Sequence, residues 1–229
     1  MAETLLILGD SGSGKSTSLR NLNPEETFII STTGKPLPWR GYKKQYTKFK
    51  SSDQGISGNF IQTCKADKII KLLKLIDKRM PHIKQVCIDD LQYVMSFEFM
   101  DRSSETGYSK FTEIGKNFTD ILRLTDQLRD DLKVIFLSHS ENTGDAINEH
   151  YSLKTIGKLV NEKITPEGLF TYVFYTIVEE GDSGKMEYKL LTNTDGKRVA
   201  KTPLGMFEDL LIDNDLNEII KVIDEYNNG

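Results

Sequence analysis

One run of residues constrains this chain more than any other: Gly9-Asp10-Ser11-Gly12-Ser13-Gly14-Lys15-Ser16-Thr17, directly after the apolar run Thr4-Leu5-Leu6-Ile7-Leu8. It reads G-x-x-x-x-G-K-[ST] in the context of strand, glycine loop and helix. Gly9, Gly12 and Gly14 let the backbone turn tightly and aim its N–H groups inward. A helix expected to open near Lys15 adds the positive end of its dipole. Such a loop is suited to the phosphates of a nucleotide, with Lys15 reaching the terminal phosphates and Ser16 completing the shell of a magnesium ion.

Alternating apolar strands and helices predict an α/β fold, a mostly parallel sheet with helices on both faces. Strands are expected at 4–8, 27–31, 59–63, 83–90 and 132–138. A short helix should follow the glycine loop to about Leu22, a second should span Ala66–Met80, and a long helical region at 91–130 should break near Gly107. Leu169–Val178 and Met186–Thr192 read as a hairpin around Gly181-Asp182-Ser183-Gly184, and Asp215–Tyr226 as an amphipathic helix. The whole chain, 1–229, is read as one domain with a basic insertion at 34–58 and a C-terminal extension at 165–229.

Ligands of such sheets sit at the C-terminal strand ends. The glycine loop, Asp89-Asp90 after Val86-Cys87-Ile88, and Ser138-His139 after Val134–Leu137 all fall at such ends. Asp89 is the expected magnesium partner of Ser16. Asp90 either polarises an attacking water or caps the following helix. His139 is placed to sense phosphate or water if its strand lies between the glycine loop and Asp89, or it merely caps a strand end. Lys154 and Lys158 either neutralise charge on a transferring phosphate, in a neighbouring subunit, or belong to a solvated basic face.

Segment 35–50 carries Lys35, Arg40, Lys43, Lys44, Lys48 and Lys50 with Trp39, Tyr42, Tyr46 and Phe49 between them, and no acid. Cations with aromatic platforms suit single-stranded nucleic acid, and Lys35, Trp39, Arg40, Lys43, Lys44, Tyr46 and Lys48 are the candidate contacts. The alternative is a lysine-rich cover whose rings pack inward. Trp39 could also sit near a nucleotide base. The net charge of −4 argues against a protein that coats nucleic acid over its whole surface, not against a local basic face.

No stretch is long and apolar enough to suggest a membrane span, the N-terminus runs straight into a strand with no signal peptide, and two cysteines, Cys64 and Cys87, suggest no disulfide framework. A reducing cytoplasm is the expected compartment.

The order of glycine loop, Asp89 strand and Ser138-His139 strand resembles the RecA-like branch of P-loop ATPases. Gly34-Lys35-Pro36-Leu37-Pro38, Ile88-Asp89-Asp90-Leu91-Gln92-Tyr93, Lys154-Thr155-Ile156-Gly157-Lys158, Pro166-Glu167-Gly168-Leu169-Phe170 and Lys201-Thr202-Pro203-Leu204-Gly205-Met206-Phe207 resemble phage-encoded ATPases of the single-strand annealing and recombination group. That resemblance implies ATP and magnesium, DNA-stimulated hydrolysis, self-assembly, a single-strand-binding protein as partner, and a bacterial host cytoplasm. The chain departs from RecA-type enzymes after its second strand, where Ser31-Thr32-Thr33-Gly34 offers no acid to activate water. A nucleotide kinase shares the loop, but the seven arginines, Arg20, Arg40, Arg79, Arg102, Arg123, Arg129 and Arg198, form no lid-like cluster. A loader or switch acting on a protein partner is the third reading. The guanine motif N-K-x-D is absent.

Overall fold

Leu5, Leu6, Ile7 and Leu8 are all fully buried, so the first strand is covered on both faces and flanked on both edges. The computed structural model describes residues 1–229 except Gln54, Ala146, Lys158, Leu159, Asn161 and Glu162. In chain order the strands are β1 (Glu3–Gly9), β2 (Thr27–Ser31), β3 (Lys50–Ser52), β4 (Gly55–Ser57), β5 (Phe60–Gln62), β6 (Gln85–Asp89), β7 (Lys133–Asn142), β8 (Tyr151–Leu153), β9 (Tyr172–Glu180), β10 (Met186–Leu191) and β11 (Leu211–Asp213). The helices are α1 (Tyr42–Gln45), α2 (Ala66–Arg79), α3 (Gln92–Asp101), α4 (Ser109–Leu124) and α5 (Leu216–Asn228).

Among the described residues the main sheet runs β11-β10-β9-β1-β7-β6-β2-β5, with β8 paired to β7. Every pairing from β9 through β5 is parallel, and β10 and β11 add antiparallel strands at one edge. The result is an α/β protein with a mostly parallel mixed sheet, Rossmann-like in layout. β7 lies between β1 and β6, the order expected if His139 is to stand beside the glycine loop. The C-terminal hairpin continues the main sheet, because β9 pairs with β1.

Two-residue alternation divides the core. Leu6, Leu8, Phe28, Ile30, Val86, Ile88 and Phe136 face α2, α3 and α4. Leu5, Ile7, Ile29, Cys87, Ile135 and Leu137 face the other way, onto Leu19, α5 and the segment holding Leu37 and Tyr46. Each helix follows its apolar spacing. In α2, Ile69, Leu72, Leu73 and Ile76 are buried, and the chain leaves the helix at Met80, ahead of Pro81. The break expected near Gly107 separates α3 from α4. The helix expected after the glycine loop is a 3-10 turn, Ser16–Asn21, ending where Leu22 turns extended ahead of Asn23-Pro24.

Candidate functional site

The glycine loop leaves β1 at Gly9 with φ 148°, and Gly12 and Gly14 follow at 80° and 94°. Gly9 also has no room for a side chain: a Cβ there would lie 1.8 Å from Thr176 Oγ1 on β9. The loop is braced from the far part of the chain. Ser13 Oγ lies 2.5 Å from Thr176 Oγ1 and donates to Asp10 O at 2.7 Å. Asn214 Nδ2 donates to Gly14 O at 2.9 Å. Asp10 turns its carboxylate to Ser140 Oγ, 3.2 Å away. Lys15 is buried, and its ammonium donates to Gly9 O (2.8 Å) and Asp10 O (2.7 Å). Burial lowers its pKa to about 8, against the opposing charges of Asp90, Asp89 and Asp10.

Ser16 Oγ donates to Asp89 Oδ1 at 2.8 Å, joining the loop to the end of β6. Asp89 is buried, and that burial, with the charge of Asp90 beside it, raises its carboxyl to about 6 despite the Ser16 hydrogen bond and Lys15. Asp90 has φ 65°, the left-handed region, where an aspartate is tolerated at a cost. Thr32 holds it there, donating to the carbonyls of Asp90 (2.8 Å) and Asp89 (3.1 Å). Its carboxylate meets Thr33 Oγ1 at 3.1 Å, Lys35 Nζ at 3.4 Å and His139 Nε2 at 3.5 Å. Burial opposes its ionisation, but His139, Lys35 and Thr33 together outweigh that and hold it at about 2. Asp90 does not cap α3, whose N-terminus has no side-chain cap, and its carboxylate turns into the cleft instead.

Ser11, Gly12, Gly14, Lys15, Ser16, Thr17, Lys35, Asp89, Asp90 and His139 line one cleft of ≈ 350 Å³, with Pro36, Pro38 and Tyr188. Most of the residues expected at the nucleotide and metal site therefore meet in one place. Lys154 does not: it is exposed and outside the cleft, and its backbone N–H donates to His139 O (2.9 Å). Lys158 lies outside the described residues.

The basic segment requires a correction. Tyr46 is 5 % exposed and packs in the core under β2 and β6, so it offers no stacking face to a nucleic acid. Trp39 is half-buried, edge-on to Tyr46, with Nε1 donating to Gln45 Oε1 at 2.8 Å. Tyr42 packs on the same cluster, and Phe49 sits edge-on to Phe28. The rings point inward because Trp39, Tyr42 and Tyr46 cover the face of the sheet that carries Ile29, while Phe49 packs on the opposite face with Phe28. Arg40, Lys43, Lys44 and Lys48 remain exposed. Lys35 belongs to the cleft instead, with its ammonium at Asp90 and 5.6 Å from the Tyr93 ring centroid.

Some site residues carried no sequence signal. Gln92 is buried, and its Oε1 accepts from Ser138 Oγ and from the His139 N–H, both at 3.1 Å, which fixes the middle of β7 to α3. Thr32, Thr33, Thr176 and Asn214 brace the site from sequence-distant elements. No helix among the described residues is long and apolar enough to cross a membrane. Compared with known proteins, the chain matches no protein-family model and no curated protein.

Proposed function

We propose that this protein binds and hydrolyses ATP with magnesium, and that it has the P-loop, RecA-like form of the α/β fold. The observation that carries the reading is the Ser16–Asp89 hydrogen bond, 2.8 Å long between residues 73 apart. It brings together the two side chains that this chemistry requires around one metal. The donor set fits the ion. A buried carboxylate whose ionisation is disfavoured gains from a divalent cation, and magnesium accepts one carboxylate and one hydroxyl while keeping water and phosphate oxygens. Bound there, magnesium would neutralise charge on the β- and γ-phosphates.

The chain's own residues do the rest. Backbone N–H groups of the loop and the Lys15 ammonium bind phosphate oxygens. Asp90 orients a water for in-line attack on the γ-phosphorus. The new P–O bond forms as the bond to the β-phosphate oxygen breaks, and ADP leaves with that electron pair. A carboxylate held at about 2 is a weak base, so Asp90 positions the water and its proton leaves with the released phosphate. His139 and Lys35 keep Asp90 aimed. Lys154 stands outside its own cleft, so a catalytic role for it would be played in a neighbouring copy of an oligomer.

Single-stranded DNA is the proposed partner, in annealing or recombination, and the exposed Arg40, Lys43, Lys44 and Lys48 support it through charge. The inward packing of the rings favours a second reading, a loader or switch acting on a protein partner. Steady-state ATP turnover with and without single-stranded DNA separates these, with Lys15→Ala as the control. Hydrolysis no faster in wild type than in Lys15→Ala would sink the ATPase reading. Hydrolysis indifferent to DNA would remove the DNA partner and move the search to proteins.

A further inference from the structure

Beside the loop cleft lies a second cleft of ≈ 360 Å³, and Thr17 and Tyr188 line both. Tyr188, on β10, is 46 % exposed, yet its ring lies against the loop: a Cβ on Gly14 would sit 3.0 Å from ring Cδ1. One part of the ring is thus fixed by the loop and the rest is open. Asn214 follows β11, hydrogen-bonds through its N–H to Tyr188 O (3.3 Å), and is 4 % exposed. Its Nδ2 is committed to Gly14 O, which leaves Oδ1 as the end that can accept. That Oδ1 is buried, and it has no partner among the described residues.

The charged groups of this second cleft are answered, Glu218 by Lys221. Lys189 takes Asp213, and Arg20 and Asn21 take Asp215. Arg20 itself donates to Asn214 O at 2.7 Å and Thr17 O at 3.2 Å. A buried acceptor left unanswered is destabilising unless a ligand supplies a donor. The fitting ligand has a flat ring to lie on Tyr188, an in-plane N–H for Asn214, and a phosphate chain that passes Thr17 into the loop.

Resting on the triphosphate reading of the loop, we propose that Tyr188 and Asn214 form the base subsite of that nucleotide. Tyr188 stacks on the base, and Asn214 Oδ1 accepts from the 6-amino group of adenine. A 6-oxo purine would set a carbonyl against Oδ1, acceptor against acceptor.

Calorimetric titration of the full chain with ATP, inosine triphosphate and inorganic tripolyphosphate, each with magnesium, tests this. ATP should bind about tenfold or more tighter than either of the others. Tyr188→Ala should bring ATP down to the tripolyphosphate level and leave tripolyphosphate unchanged, and Tyr188→Phe should keep the ATP affinity. ATP and tripolyphosphate bound alike by wild type, or Tyr188→Ala weakening both equally, would overturn the base subsite and leave the triphosphate site standing. ATP and inosine triphosphate bound alike would remove the role of Asn214. No binding of any of the three, or Lys15→Ala binding all three as tightly as wild type, would overturn the triphosphate reading and the subsite with it.

Discussion

The loop cleft and the segment at 34–58 are both polar, cation-bearing stretches, and they are built in opposite ways. In the cleft the charged groups are buried and cross-braced: Lys15, Asp89 and Asp90 each have relative exposure below a tenth. In the segment the charges face water, while Leu37 and Tyr46 are buried and Trp39 and Tyr42 pack against the same core. The cleft holds its charges at a cost in stability, as functional sites do. The segment holds its rings for stability, as a cover on the sheet. Similar residue types are thus buried in a polar cleft in one place and packed as a cover in the other, and the direction of each side chain decides which.

Three measurements test that contrast. Truncation of Tyr46 to alanine should cost the most, about 3–5 kcal/mol by chemical denaturation, the range for a large buried aromatic. A loss under about 1 kcal/mol would mean the ring is dispensable to the core and would reopen a surface role. In the cleft the sign reverses. Asp89→Asn, without magnesium or nucleotide, should stabilise the protein at pH 7 by about 1–3 kcal/mol. The sign follows from the raised carboxyl. The native state keeps a proton up to about pH 6 that the unfolded chain has already released, so this group's contribution falls as pH rises from about 4 to 6. The advantage of Asp89→Asn should therefore shrink as pH is lowered toward 4, and one that grew instead would contradict a buried carboxylate whose ionisation is disfavoured. The smallest effect on stability belongs to Lys43→Ala with Lys44→Ala, within about 0.5 kcal/mol of wild type. If DNA runs over that surface, the same pair should lower the salt dependence of binding by about two phosphate contacts. An unchanged slope would leave these lysines as solvated charges.

Much of the cleft was legible in the sequence, because a glycine loop after an apolar strand imposes its own geometry. Asp89 and His139 were legible too, since buried strands in a parallel sheet end on one rim. An irregular segment has no period from which to tell inward from outward, so its sequence does not show that Tyr46 faces the core. Nothing in a lysine-rich run shows that the chain, through Gly34 at φ 71°, brings Lys35 to Asp90, so the sequence alone groups Lys35 with the DNA contacts. Gln92 carries no motif, and its role appears only once α3 is set against β7. Thr176 and Asn214 reach the loop from 163 and 200 residues away, which local pattern cannot reveal.

That last distance bears on how the protein is made. β1 precedes both of its neighbours in the sheet, β7 and β9, by more than a hundred residues. While a ribosome is still short of residue 133, β2, β5 and β6 can already pair with one another, and β1, with its four consecutive buried apolar residues, has no strand to join. The nascent chain must carry that segment exposed until β7 has been made, the condition under which chaperones bind and aggregation competes with folding. The loop's final brace, Asn214 on Gly14, cannot form until later still. Slowing translation after β6 should lengthen that vulnerable interval, whereas slowing it after β9 should not.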